Sequence, residues 1–186
     1  MVFNLPNALT WFRILAIPLV VIVFYLPVHW ARPAAGLLFG LAGITDYFDG
    51  YLARRLNQTS KFGAFLDPVA DKLIVSTALV LLVQADPTIV LSVLAGIIIG
   101  REITVSALRE WMSQLGARSH VAVTFFGKWK TTLQIVGIGL MLYQRPIAGV
   151  ELYPVGVALL FIAAVLTIWS MLDYLRAAWP MMVKEG

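Results

Sequence analysis

The sequence contains no cysteine, two histidines and few charged residues, since Asp, Glu, Lys and Arg make up only 13% of 186 residues. The absence of cysteine removes the usual reason to expect zinc, and neither His29 nor His120 has a partner at metal-ligand spacing. With 60% hydrophobic residues, the composition excludes an ordinary soluble domain. We therefore predict an integral membrane protein that forms one domain over residues 1–186.

Apolar runs of about 20 residues, the length that crosses a bilayer as a helix, occur six times along the chain. They lie at roughly 8 to 27, 33 to 55, 64 to 85, 88 to 110, 125 to 144 and 150 to 176. Only helices or closed barrels satisfy backbone polar groups in lipid, and these runs are too continuous for barrel strands. They predict an all-α bundle of six transmembrane helices.

Basic residues predict the orientation of this bundle, because they concentrate in cytoplasmic loops. With both termini in the cytoplasm, Arg32 and Arg145 fall in the opposite loops. The residues on or near the cytoplasmic side are then Arg54, Arg55, Lys61, Arg109, Arg118, Lys128, Lys130, Arg176 and Lys184. The net charge of +4 indicates this topology and attraction to anionic membrane lipids, and it does not indicate nucleic acid binding.

Four carboxylates stand in otherwise apolar sequence: Asp46, Asp49, Asp67 and Asp71. An ionised Asp within a membrane span costs about 3 kcal/mol or more unless a cation or water compensates it. At about 100° per residue, each pair falls on one helix face, and two antiparallel helices joined by the turn 56–61 bring the pairs together. Hard oxygen ligands suit Mg²⁺ or Mn²⁺. The alternative is exposed loop carboxylates, or ion pairs with Arg54, Arg55 and Lys72.

These carboxylates belong to one ordered motif: Asp46-x-x-Asp49-Gly50-x-x-Ala53-Arg54, then eight residues, then Gly63-x-x-x-Asp67-x-x-x-Asp71. The motif resembles the signature of the CDP-alcohol phosphotransferase family at every defined position. The resemblance implies a membrane enzyme with two metal ions that displaces CMP from a CDP-linked lipid by an alcohol. It further implies that Asp71 is the base that deprotonates the acceptor hydroxyl, although Asp71 as a further metal ligand stays an alternative.

The small residues of the motif lie on the same helix faces as the carboxylates. A larger side chain at Gly50, Ala53 or Gly63 would block a ligand or a neighbouring helix, so the alternatives are nucleotide contact and helix packing. The motif favours contact with the CDP moiety. Arg54 offers a planar fork suited to phosphate, and we assign it to the same moiety.

A second, basic cluster lies near the cytoplasmic ends of the fourth and fifth spans: Arg101, Arg109, Arg118, Lys128 and Lys130. Arg101 stands within an apolar run, where a guanidinium needs a partner. We predict a pocket for the acceptor phosphate. The alternatives are pairing with Glu102 and Glu110, or a basic loop required by topology alone.

The opening segment places Asn7, Thr10 and Arg13 on one helix face. This face points either into the active-site cavity or, as a helix cap and a snorkelling arginine, to the membrane surface.

Further segments, PNALTWFRI, REITVSALREWM and GKWKTTLQ, are similar to bacterial members of the family that use sn-glycerol 3-phosphate. The resemblance implies CDP-diacylglycerol as donor, a homodimer, and a bacterial inner membrane location with the active site facing the cytoplasm. The residues alone leave serine, inositol phosphate or phosphatidylglycerol open as acceptor, although the basic cluster favours an anionic one. A cation transporter, a structural or assembly protein and a prenyltransferase are alternatives; we find no internal repeat typical of transporters.

Overall fold

The computed structural model is an all-helical bundle. It describes residues 5–56, 61–114 and 125–185, with side chains described for residues 11–45, 66–114, 129–176 and Trp179. The helices of this part of the chain are α1 (Leu5–Tyr25), α2 (Ala31–Leu56), α3 (Lys61–Ala85), α4 (Ile89–Gln114), α5 (Phe125–Tyr143) and α6 (Leu152–Glu185). The predicted all-α architecture with six helices is confirmed.

Helices α4 and α6 continue well past residues 110 and 176, where the predicted apolar runs end. Helix α4 continues to Gln114 and α6 to Glu185. In the last part of α4, Val105, Leu108 and Met112 are buried at helical spacing and pack with Tyr174 of α6. An amphipathic continuation of this kind alternates apolar and polar residues, so a search for unbroken apolar runs stops before it.

The helices pack as a closed ring. In order around the ring, α1 contacts α2, α2 contacts α5, α5 contacts α6, α6 contacts α4, α4 contacts α3, and α3 returns to α1. Helix α3 also touches α2 and α5 across the ring.

Three turns lie together at one end of the bundle: residues 26–30, 86–88 and 144–151. Arg145 donates a hydrogen bond to the carbonyl of His29, and the Tyr153 hydroxyl donates to Asp86. These contacts join the turns between α1 and α2, α3 and α4, and α5 and α6. Helices α2 and α4 begin at this end of the bundle, so their last residues, Leu56 and Gln114, lie at the opposite end.

Buried apolar side chains fill the ring, while many large apolar side chains lie on its outer surface. The buried ones include Phe24, Phe39, Leu79, Leu82, Ile98, Ile138, Met141, Leu142 and Leu160. At the closest approach of α5 and α6, a Cβ on Gly156 would lie 2.7 Å from the carbonyl oxygen of Gly137, so glycine is required there. The outward-facing ones include Leu15, Ile22, Leu37, Leu41, Val80, Ile89 and Trp169.

Two helical segments among the described residues are long and apolar enough to cross a membrane by length and composition: Ile89–Gln114 and Leu152–Arg176. A shorter apolar helical segment spans Trp11–Tyr25. The structure is therefore that of an all-helical protein with membrane-compatible helices.

Candidate active site

A cavity of about 230 Å³ opens between five helices, towards the end of the bundle opposite the three turns. Helix α3 contributes Asp71 and Lys72, and α4 contributes Arg101, Glu102 and Arg109. The remaining lining residues are Phe39, Ala42 and Gly43 of α2, Ile74 and Val75 of α3, Lys130, Thr131, Gln134 and Ile135 of α5, and Tyr174 of α6. The predicted base and three of the predicted acceptor cations thus line one cavity.

The positive charge of the cavity comes from buried side chains of neighbouring helices. Arg101 is 7% exposed and its Nη1 lies 2.7 Å from a carboxylate oxygen of Glu102. Lys130 is 6% exposed, and its Nζ donates a hydrogen bond of 3.1 Å to the hydroxyl of Ser170. Arg101 therefore forms the ion pair with Glu102 that the sequence analysis gave as an alternative. This pairing does not remove Arg101 from the cavity, since both side chains line it.

Arg109 of α4 is held in place by Tyr174 of α6. Its Nη2 donates a hydrogen bond of 3.0 Å to the Tyr174 hydroxyl, and its guanidinium carbon lies 5.2 Å from the centre of the tyrosine ring. Tyr174 is itself buried against the end of α4. An arginine that is held over an aromatic ring loses less side-chain freedom when it binds an anion. The amphipathic end of α4 therefore serves to place Arg109 at the cavity.

The two carboxylates of α3 converge on one arginine of α1. Asp67 and Asp71 are one helical turn apart, and their side chains are about half exposed at 43% and 45%. Arg13 Nη1 lies 2.8 Å from Asp71 Oδ1, and Arg13 Nη2 lies 3.5 Å from Asp67 Oδ1. Arg13 is 1% exposed, so it does not snorkel to the membrane surface and instead lies buried against α3.

Asp67 and Asp71, the two motif carboxylates whose side chains are described, are of the ligand type that divalent cations prefer. Asp67 and Asp71 offer oxygen donors that already share one cationic partner, which places both oxygens on the same side of α3. Oxygen donors without thiolate or imidazole are typical of Mg²⁺ and Mn²⁺ sites. Among the side chains that the structure describes, no group of three or more His, Cys, Asp or Glu residues is close enough to hold a metal ion.

Several predicted site residues lie outside the described side chains. Asp46, Asp49, Gly50, Ala53 and Arg54 are in the last part of α2, and Gly63 is in the first turns of α3, but their side chains are not among those described. Lys128 is in α5 with the same restriction, and Arg118 lies outside the described residues altogether. The side chains of Asn7 and Thr10 are likewise outside. Their predicted roles stay predictions.

The sequence analysis did not single out Tyr174 or Gln134, and it considered Lys72 only as an ion-pair partner. All three line the cavity. A signal existed for Gln134, which is a buried amide within an apolar helix and requires a hydrogen-bonding partner. No local pattern distinguishes Tyr174 from other tyrosines near a membrane surface, because its contact with Arg109 joins residues 65 positions apart.

Comparison with known proteins shows the family of this chain. A sequence model of the CDP-alcohol phosphatidyltransferase family matches residues 3–169. A protein of Shigella flexneri serotype 5b (strain 8401), named CDP-diacylglycerol–glycerol-3-phosphate 3-phosphatidyltransferase, is 55% identical over 178 residues, which are 96% of each chain. A protein of the same name from Escherichia coli (strain K12) is 54% identical over the same share of both chains. On this match over nearly its whole length, the chain belongs to the CDP-alcohol phosphatidyltransferase family.

Proposed function

We propose that this protein transfers the phosphatidyl group of CDP-diacylglycerol to sn-glycerol 3-phosphate, giving phosphatidylglycerophosphate and CMP in phospholipid biosynthesis. The observation that carries the proposal is the cavity that combines a carboxylate, Asp71, with the cations Arg101, Arg109 and Lys130. An acceptor with a hydroxyl at one end and a phosphate at the other suits this combination. The names of the curated relatives support the same substrates.

In this proposal Asp71 is the catalytic base. Its carboxylate takes the proton of the 1-hydroxyl group of sn-glycerol 3-phosphate, and the hydroxyl oxygen forms a bond to the lipid-proximal phosphorus of CDP-diacylglycerol. The bond between that phosphorus and the bridging oxygen breaks, and CMP leaves with the bond's electron pair. Arg101, Arg109 and Lys130 hold the acceptor phosphate away from the reacting phosphorus, which orients the hydroxyl for attack.

The assignment of a metal site extends the same proposal. The ligands are Asp46, Asp49, Asp67 and Asp71, and the metal is Mg²⁺ or Mn²⁺ as a pair of ions. Bound metal supplies charge neutralisation at the pyrophosphate. Gly50, Ala53 and Gly63 leave room for the CDP moiety, and Arg54 binds its phosphates. Asp67 and Asp71 both contact the Arg13 guanidinium, and this convergence on one positive group supports their assignment as ligands.

We also propose that all six helices span a bacterial inner membrane as one domain, residues 1–186, with both termini and the active site on the cytoplasmic side. Large apolar side chains such as Leu37, Val80 and Trp169 face outward, as contact with lipid requires. Arg32 and Arg145 lie near the end with the three turns, and the cavity lies towards the other end. The homodimer implied by the family resemblance belongs to the same proposal.

A panel of acceptors tests the proposed reaction. Purified protein is given labelled CDP-diacylglycerol with Mn²⁺ and one of sn-glycerol 3-phosphate, serine, inositol phosphate or phosphatidylglycerol. We expect CMP release that depends on sn-glycerol 3-phosphate, because the cations of the cavity favour a phosphate-bearing acceptor. Faster release with another acceptor would overturn the assigned substrate, and no release with any acceptor would favour a transporter or an assembly protein.

The cationic side of the cavity gives a second expectation. Arg109→Ala should raise the KM for sn-glycerol 3-phosphate by at least about tenfold, equivalent to about 1.4 kcal/mol, because one phosphate-binding guanidinium is lost. The KM for CDP-diacylglycerol should change much less. Steady-state kinetics with each substrate varied in turn measures both values.

A matched control for this variant is Arg176→Ala. Arg176 is an exposed arginine of α6 close in sequence to Tyr174, the partner of Arg109, and it does not line the cavity. We expect wild-type KM values from this control. Equal losses for both substrates in Arg109→Ala would instead indicate a general structural role for Arg109.

A further inference from the structure

Arg13 joins α1 to the reactive face of α3. Its side chain is buried, and the two terminal nitrogens of its guanidinium point to different carboxylates, Asp71 at 2.8 Å and Asp67 at 3.5 Å. These residues are more than 50 positions away in the sequence. A single planar group thus contacts both carboxylates of the second half of the motif.

The chemistry of this contact differs from that of an ordinary ion pair. The guanidinium nitrogens lie in one plane at fixed separation, so donation to two carboxylates restricts the rotation of both. Its charge also offsets the repulsion between two carboxylates one turn apart. Removal of a buried charge partner normally costs far more than removal of an exposed one.

We propose that Arg13 is a positioning residue that holds Asp67 and Asp71 converged and correctly rotated before a divalent cation binds. This inference rests on the proposed function, because it assigns Arg13 to the base and to a metal ligand of that reaction. Arg13 touches neither substrate in this account. It acts through the two carboxylates.

Arg13 is itself a cation beside the proposed metal ligands. Its positive charge repels a divalent cation, while its hydrogen bonds orient the base. Loss of Arg13 removes the repulsion of the cation, which strengthens metal binding, and also the ordering of Asp67, which weakens it, whereas only the loss of ordering acts on turnover. We therefore expect lower turnover without weaker metal binding. A residue with a merely structural role would weaken both together.

The test compares Arg13→Gln with wild-type protein in two measurements. Calorimetric titration with Mn²⁺ in the absence of substrate gives the metal Kd, and CMP release at saturating substrates gives kcat. We expect kcat to fall at least about fivefold and the Kd for Mn²⁺ to stay equal or become lower. A smaller fall in kcat, or a higher Kd, would overturn the inference.

A matched control is Arg32→Gln. Arg32 lies in the first turn of α2, at the end with the three turns, and its guanidinium carbon is 3.5 Å from the ring centre of Phe24. We expect this control to retain wild-type kcat and Kd when it is folded. The comparison separates the loss of any arginine from the loss of the contact with Asp67 and Asp71.

A conservative variant covers the case in which Arg13→Gln does not fold. Arg13→Lys keeps the charge, but one ammonium group lacks the planar fork that reaches two carboxylates. We expect at least a fivefold lower kcat, about the same loss as for the first variant, at unchanged Mn²⁺ Kd. Wild-type kcat in this variant would overturn the inference. Wild-type protein that releases no CMP overturns the proposed function instead, whereas active wild-type protein with an undiminished variant overturns this inference alone.

Discussion

Asp67→Ala should abolish CMP release while the protein still inserts in the membrane and folds. In the proposed site, Asp67 is a metal ligand, and its carboxylate shares the Arg13 guanidinium with Asp71. The substitution removes a ligand and leaves Arg13 with one fewer anionic partner. We expect turnover to fall more than about 10³-fold, beyond the 10- to 100-fold loss typical for groups that only support a metal ligand. Asp49→Ala should have the same effect, since Asp49 is a ligand of the same proposed metal site.

Metal titration of the purified variants is the measurement for this prediction. Turnover as a function of Mg²⁺ or Mn²⁺ concentration should show no metal stimulation for either variant. Asp173→Ala is the matched control, because Asp173 is an exposed aspartate of α6 outside the cavity lining. Metal-stimulated turnover close to the wild-type rate in both variants would contradict the assignment of these carboxylates as ligands.

The expected effect of Asp71→Asn is a loss of turnover with most of the metal binding retained. The amide has nearly the shape of the carboxylate, and its oxygen still accepts a hydrogen bond from Arg13, but it does not take a proton from the acceptor hydroxyl. Turnover should fall by roughly 10²- to 10⁴-fold, the range typical for loss of a general base. The position of Asp71 in the same cavity as Arg101, Arg109 and Lys130 is the structural reason for this role.

Calorimetric Mn²⁺ binding beside the rate measurement distinguishes a base from a ligand. A base predicts a large loss of rate with a modest change in metal Kd. If the metal affinity of Asp71→Asn collapses together with its rate, Asp71 acts chiefly as a ligand, and another group must deprotonate the acceptor. The Asp173→Asn variant controls for the loss of one negative charge.

Much of the candidate site was predictable because its residues are close in sequence. Asp67 and Asp71 share a helix face by the period of the α-helix alone, and their contact with one guanidinium agrees with that spacing. The apolar runs likewise predicted six helices, since a continuous run of about 20 apolar residues has few other structures available. Their ends were less predictable, because the amphipathic end of α4 depends on a partner helix for its burial.

Contacts between distant residues could not be predicted in the same way. The sequence left Arg13 as either a cavity residue or a snorkelling arginine, because both place it on the same helix face. Burial of Arg13 against α3 excludes the snorkelling arginine. Tyr174 gave no signal at all, since its role depends on how α6 crosses α4.

The sequence by itself determined the helical class, the spacing of the motif carboxylates and the resemblance to the family, because each depends on local periodicity and residue type. Only the tertiary structure decided which of these residues meet. It placed Asp71 in one cavity with Arg101, Arg109 and Lys130, and it paired Arg13 with the carboxylates of α3. The physical reason is that helix order around the ring and helix crossing are set by packing between whole faces, which no single segment of sequence contains.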